Sequence, residues 1–531
     1  MLKIIRFLYI AFIFILVLGC QRQDSKANEQ DLFQVKSVKD GHSKKIIFLL
    51  IDSLMSQAID QGIKQKELPA FQYLINHGQY NKNMVSSFPT MSVTIDSSLL
   101  TGSYPNENHV PGLTWFSSDT KKVINYGTGP MEVLRHGVDP TLVDGLIHLN
   151  NKHLNPKLPT IYEDLAKRGL KAGSINGLIY RGSRDHKLSI PAWIHGPTSL
   201  PKEIPVQGPD FLALGSLTNP LKGIKNLPDD ITRRIGINNQ YSIETVKHLI
   251  QANKLPDFLF VYLPDLDQKI HKDGPPSLNG VKEVDQQLHS LLRSFPSPEE
   301  ALKEVIFIIA GDSGMTRIFP AEKNPVIDLP SMFKGYNVLS PGENVTDKTE
   351  IVLAVNETMA YVYKLNRNKS LQDIARLLTT DPRIDFVSWK ENEWMYAVQG
   401  ATAKMLQYKA DGKIKDHYQQ KWAVKGDLGV LDLKVNAVNN SIVYGLYPDV
   451  LERLSGALHS HKGEFLVVTA KPGYELADQS SPTHKGGGGH GSIRQEESLV
   501  PLIICGTDQK PQYLRIIDLK AFLLKLLSNS K

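Results

Sequence analysis

Cysteine is close to absent: the chain of 531 residues holds only Cys20 and Cys505. That excludes a disulfide framework, so stability must rest on an apolar core or on metal. An excess of charge of one sign is missing too. There are 61 basic and 55 acidic residues, the formal net charge is +6, and no basic run stands out. Such a balance gives no case for a nucleic-acid polymer as partner. Internal repeats and extended low-complexity tracts are also lacking. What remains is an ordinary globular composition, 41% hydrophobic and 22% charged, long enough for a large core and more than one lobe.

The N-terminus is distinctive. Lys3 and Arg6 precede an apolar run over residues 7–18, and Gly19-Cys20 follows. A basic start, a short apolar stretch and a small residue predict an export signal over residues 1–19. The run is too short for a comfortable membrane span. Its end, Val17-Leu18-Gly19-Cys20, resembles a bacterial lipobox. That implies Cys20 as the lipidated first residue of a mature protein, anchored on the extracytoplasmic side of a bacterial membrane. A plain N-terminal anchor helix is the other reading. Residues 20–44 read as a polar tether, and the sequence does not reveal an oligomeric state.

Short apolar runs then recur: KIIFLLI at 45–51, FLFVY at 258–262, VIFIIA at 305–310, FLVVT at 465–469 and LVPLIIC at 499–505. Each has the pattern of a strand buried on both faces. Helical patterns lie between them at 160–168, 242–252, 281–292 and 514–527. The alternation predicts an α/β fold with a largely parallel central sheet flanked by helices. Residues 182–234, rich in Pro and Gly, read as an excursion over the active face. Residues 351–460 read as an inserted α+β cap, leaving 45–350 and 461–531 for the main domain.

Ligands of an open parallel sheet bind outside the carboxyl ends of its strands. Asp52 ends the first run, and the second leads into Asp265, Asp267, His271, Gly274 and Pro275. The third ends in Gly311-Asp312-Ser313-Gly314, and Gly486-Gly-Gly-Gly-His490-Gly491 comes late. Singly, each has a bland reading, Asp52 as a helix cap or His490 as an exposed turn residue. Jointly, carboxylates and imidazoles at several strand ends suit a borderline cation such as Zn²⁺. Two such cations could clamp the oxygens of an in-line phosphoryl displacement. The hydroxyl-rich stretch SFPTMSVTIDSSLLTG at 87–102 offers the nucleophile. Ile95, Leu99 and Leu100 are spaced to bury one side of a helix starting near Ser92, where unpaired N–H groups favour an alkoxide and a phosphate. Thr90, upstream of that helix, is the alternative.

These blocks occur in the order seen in the alkaline phosphatase superfamily, and the chain most resembles its type I phosphodiesterase/nucleotide pyrophosphatase branch. The most specific block is D-x-x-x-H-x-x-G-P at Asp267, His271, Gly274 and Pro275, which selects Asp267 over Asp265. The resemblance implies an alkaline-phosphatase-like sandwich and a small phosphate-ester substrate. It implies two divalent metal ions, Zn²⁺ in the first instance, and a covalent phosphoserine intermediate resolved by water. One metal site would use Asp267, His271 and His490; the other would use Asp52, Ser92, Asp312 and the next residue. In the superfamily the nucleophile lies nine residues before the Thr of a Thr-Gly pair, and nine before Thr101 is Ser92. The chain departs from the branch twice. Ser313 stands where imidazole is usual, so the second site is expected to hold Zn²⁺ more weakly or prefer a harder ion. Leu113 stands where an Asn helps bind phosphoryl oxygens.

The expected activity is phosphodiesterase or pyrophosphatase, with phosphomonoesterase or a catalytically weakened surface-binding lipoprotein as alternatives. Tyr180, Arg181, His186 and Lys187 are candidate substrate contacts. Gly311-Asp312-Ser313-Gly314 also resembles a chymotrypsin-like nucleophile motif, but disulfides and a β-barrel context are absent. Gly486, Gly488 and Gly491 match G-x-G-x-x-G without the strand and acid of a dinucleotide site. No sulfatase motif surrounds Ser92.

Overall fold

The structure, a computed structural model, describes residues 44–127, 138–196, 198–365, 368–402 and 404–528. The expected export signal, Cys20 and nearly all of the expected tether lie outside the described residues.

Five of the strands that matter most are β1 (Lys45–Ile51), β2 (Gly78–Val85), β3 (Ala172–Ile175), β4 (Phe211–Ala213) and β5 (Phe258–Leu263). They are followed by β6 (Val305–Gly311), β7 (Ile351–Asn356), β8 (Met359–Lys364), β9 (Ile384–Glu391), β10 (Phe465–Ala470) and β11 (Leu499–Cys505). Among the described residues, seven of them form one sheet in the order β2-β11-β6-β1-β5-β3-β4. All neighbours from β6 to β4 pair in parallel, as the alternation of strand and helix predicts. β11 runs antiparallel to both β6 and β2.

Alternate residues of β1 feed two apolar layers. Ile47, Leu49 and Ile51 pack on one face, and Ile46, Phe48 and Leu50 on the other. Each such side chain contributes about 1.5–3 kcal/mol on burial. The register sets Ile51 opposite Leu263 on β5 and Gly311 on β6. The three strands therefore end level, and the residues that follow, Asp52, Asp265 to Asp267 and Asp312, emerge side by side.

A second sheet has nine strands among the described residues, and it begins at one edge with β7-β8-β10-β9. The sequence reading assigned residues 465–469 to the main domain and ended the insert at 460. β10 instead pairs antiparallel with β8 and β9, between them. A strand buried on both faces shows the same apolar run in either sheet, so periodicity could not assign its partners. The excursion over 182–234 likewise does more than cover the face, since it supplies β4 to the main sheet's edge.

Candidate active site

Helix α1 (Ser92–Thr101) begins at the serine singled out by the helical pattern and stops at Gly102, whose φ of 72° closes it with an N–H bond to the Ser98 carbonyl at 2.9 Å. Every residue of α1 after Ser92 is buried, and Ser92 is half-buried. Its Oγ donates to Asp52 Oδ1 at 3.2 Å. The hydroxyl thus sits at the positive end of a ten-residue helix and beside a carboxylate able to take its proton. Thr90 is buried and doubly engaged. Its Oγ1 donates to the Ser492 carbonyl at 3.0 Å and accepts from the Gly491 N–H at 2.8 Å. Its carbonyl faces His490 Nδ1 at 2.5 Å, so Thr90 ties the histidine loop to the start of α1.

Asp52 and Asp312 face each other across the ends of β1 and β6. Tyr262 donates its phenol proton to Asp52 Oδ2. Burial, then Asp312 and Asp267, raises the Asp52 carboxyl well above its ordinary range, and burial also raises Asp312. Asp312 Oδ1 accepts the N–H groups of Ser53 at 2.8 Å and Ser313 at 2.5 Å, while Oδ2 is buried without a partner. Two crowded buried carboxylates with an orphaned oxygen fit a divalent cation, which would relieve both the repulsion and the missing partner. Ser313 Oγ is buried 3.3 Å from Ser53 Oγ.

Helix α2 (Asp265–Asp273) sets Asp267 and His271 one turn apart on one face. The glycine run reaches across to them. A side chain at Gly487 would run into the His271 carbonyl, and Gly488 O is 2.9 Å from His271 Nδ1. With Nδ1 held, His271 Nε2 points at Asp267 Oδ1, 3.3 Å away, and His490 Nε2 lies 3.6 Å from the same oxygen. Asp267, His271 and His490 can each bring one ligand atom within 4.8 Å of the others. Burial pushes the Asp267 carboxyl up, but His271 and His490 hold it well below the usual carboxylate range. Against burial, Glu357 and Asp267 raise His271 to about 9. Such a charged knot is what a cation pocket shows when protons take the cation's place.

Sequence reasoning missed four participants. Glu357 sits at the turn joining β7 and β8, with φ of 57°, and its Oε1 is 3.7 Å from His271 Nε2 and 4.0 Å from His490 Nε2. A left-handed non-glycine residue costs about 1–2 kcal/mol, a signal visible only in the structure. His484 stacks on His271 at 4.3 Å and leans on Glu475 at 3.2 Å. Ser53 follows Asp52 with φ of 58° and joins the two halves, donating its Oγ to Asp267 at 2.9 Å. Tyr262, on β5, read in sequence as one more apolar strand residue.

Of the four candidate substrate contacts, Tyr180 is buried and donates to the Leu146 carbonyl at 2.9 Å, although its ring borders the cavity beside Ser92. The Arg181 guanidinium is occupied by the carbonyls of Leu154, Asn155 and Leu158 and by Glu163. His186 bonds the Pro209 carbonyl, and Lys187 pairs with Glu203 at 3.0 Å. These three are engaged locally and do not line that cavity. Asp265 caps another helix through the Asn239 N–H at 3.0 Å. A further Asp144, His148 and His153 grouping carries Lys152 Nζ 3.0 Å from His148 Nε2, a charge that opposes a cation there.

The family model described as type I phosphodiesterase / nucleotide pyrophosphatase matches residues 46–493. No curated protein matches the chain. Among solved structures, murine ectonucleotide pyrophosphatase / phosphodiesterase 5, inactive and in complex with AMP, is 14% identical at a TM-score of 0.52, over 92% of this chain and 95% of that one. The human counterpart is 13% identical at 0.53, over 91% and 95%. Phosphonoacetate hydrolase from Sinorhizobium meliloti, in complex with phosphonoformate, is 14% identical at 0.53, over 92% and 96%. At such identities the likeness establishes the fold.

Proposed function

The chain belongs to the type I phosphodiesterase / nucleotide pyrophosphatase family and is a hydrolase of phosphate esters; on that premise we propose that it cleaves phosphodiesters with Ser92 as nucleophile. The observation that carries this is Ser92 Oγ at the start of α1, 3.2 Å from Asp52, which follows β1 where β1, β5 and β6 end level. Asp267, His271 and His490 would hold one divalent cation, with Glu357 as a further oxygen donor. Asp52, Asp312 and Ser92 would hold a second. Bound there, the cations supply Lewis-acid polarisation of the phosphoryl oxygens and lower the pKa of the nucleophile.

The chain's own groups do the rest. Asp52 accepts the Ser92 proton, and Tyr262, its phenol proton held firmly by burial and by Asp52, steadies that carboxylate. The N–H groups at the start of α1 favour the alkoxide and then the phosphoryl oxygens. Ser92 Oγ attacks phosphorus, and the bond from phosphorus to the leaving group breaks, that alkoxide taking a proton from solvent water to leave as the alcohol. Water then attacks phosphorus and loses a proton to solvent, the bond to Oγ breaks, and Asp52 returns its proton to Ser92. The backbone carbonyls beside the Nδ1 atoms of His271 and His490 fix both imidazoles so that Nε2 faces Asp267.

Zinc suits the imidazole site, and Ser313 in place of an imidazole makes the second site the weaker or the harder one. That feature supports a catalytically weakened binding protein as the second reading. Metal analysis separates the two. Two ions per chain with turnover of bis-p-nitrophenyl phosphate supports the enzyme; one ion or none, without turnover, supports binding. We also propose export and anchoring through a lipid on Cys20, which rests on the N-terminal sequence. A Cys20→Ser variant should leave the membrane fraction, and its retention there would end that reading.

A further inference from the structure

A cavity of about 430 Å³ opens beside the proposed nucleophile, with Ser92 and Tyr262 at one end. That volume lies within the range of small-molecule pockets. Its walls are built from Leu113, Leu142, Leu146, Leu178, Leu217 and Ile235, brought together from separate segments. Leu113 stands where the branch has a polar residue, and here it turns one side of the reaction centre into hydrocarbon.

The polar side chains on the wall are already engaged. The Asn176 amide donates to the Gly236 carbonyl at 2.9 Å and to Ser242 at 3.0 Å. The Tyr180 phenol goes to the Leu146 carbonyl, the Tyr126 phenol meets His153 Nδ1 at 2.8 Å, and the Tyr262 phenol goes to Asp52. No Lys, Arg, Asp or Glu lines the cavity among the described residues. Apart from Arg234, which precedes Ile235 and pairs with Asp265, the described residues give a second phosphate, a carboxylate or an ammonium group no counter-charge there, and its entry costs several kcal/mol. An uncharged hydrocarbon group would gain its whole transfer free energy instead.

We propose that this cavity receives an uncharged apolar substituent, alkyl or aryl, of the phosphoester substrate, and that the protein thereby discriminates against polyphosphates and nucleotides. The inference rests on the phosphoesterase reading for its substrate class, and its test can fail separately.

The test measures binding of methyl-, butyl- and octylphosphonate to the metal-loaded Ser92→Ala protein by calorimetry, beside turnover of p-nitrophenyl phosphate esters by the unsubstituted protein. The dissociation constant should fall about fourfold per added methylene until the cavity is filled. Octylphosphonate should bind more tightly than AMP. Leu146→Lys, at a half-buried wall position, should flatten the series while unfolding cooperatively near the parent's temperature. If that variant does not fold, Leu142→Gln serves instead. A flat series, no binding at all, or tighter binding of AMP overturns the proposal. A steep series without turnover of any ester keeps the cavity's role and rejects the phosphoesterase reading; turnover with a flat series does the reverse.

Discussion

Glu357 Oε1 lies 3.7 Å from His271 Nε2, although Glu357 sits in a turn of the second sheet and His271 on α2, which follows β5 of the first. A turn of the second sheet thus reaches into the carboxyl-end site of the first, and the insert is part of the proposed metal pocket rather than only its cover. Replacing Glu357 by Gln keeps the shape and removes the charge. Metal retention against a chelator should weaken by about 10–100-fold, as for loss of a residue that orients and charges a metal site. Unchanged retention would remove Glu357 from the site.

Protons and metal compete for the same atoms. His271 is raised to about 9, so at neutral pH the metal-free pocket holds a proton that an incoming cation must displace. Zinc affinity should therefore rise by about tenfold per pH unit for each proton displaced, from about pH 6 to about 9. Calorimetry in buffers of different ionisation enthalpy reads the released proton directly. Affinity independent of pH would contradict the assignment.

The two hydroxyls of the opening stretch should separate cleanly. Ser92→Ala should lower turnover by at least about a thousandfold with the fold intact. Thr90→Ala removes a buried hydroxyl with two partners, and should lower stability by about 1–3 kcal/mol while keeping turnover within about tenfold. The reverse pattern of activities would move the nucleophile to Thr90.

Asp96, one turn along α1 from Ser92, is fully buried, and one of its carboxylate oxygens has no partner. Burial, then Asp312, raises its carboxyl well above the ordinary value. A raised carboxyl favours the folded state while protonated, and that contribution is lost as pH rises from about 4 through the raised value. Asp96→Asn should therefore raise the unfolding midpoint of the metal-free protein at about pH 8 and change it little at about pH 4. A loss of stability at about pH 8 would contradict this.

The sequence made the main sheet legible because β1, β5 and β6 bury both faces, and a residue at each strand end carries charge where charge is otherwise costly. The start of α1 at Ser92 was legible because Ile95, Leu99 and Leu100 mark a helix face that begins there. What escaped was set by pairing between distant segments. β10 reads as a main-sheet strand and lies in the second sheet. Glu357 lies in a turn whose neighbours give no chemical signal, and Tyr262 reads as one more apolar strand residue until its phenol is seen against Asp52. Arg181, charged and beside the excursion, looked like a substrate contact, whereas its guanidinium satisfies three backbone carbonyls.

Ser92 Oγ carries phosphorus between substrate and water in the proposed reaction. Acid quenching of the metal-loaded protein during turnover of bis-p-nitrophenyl phosphate, followed by peptide mass spectrometry, tests it most directly. A p-nitrophenyl phosphoryl group should appear on Ser92 and disappear when turnover is allowed to finish. The same group on Thr90, or steady turnover by the Ser92→Ala protein, would contradict this.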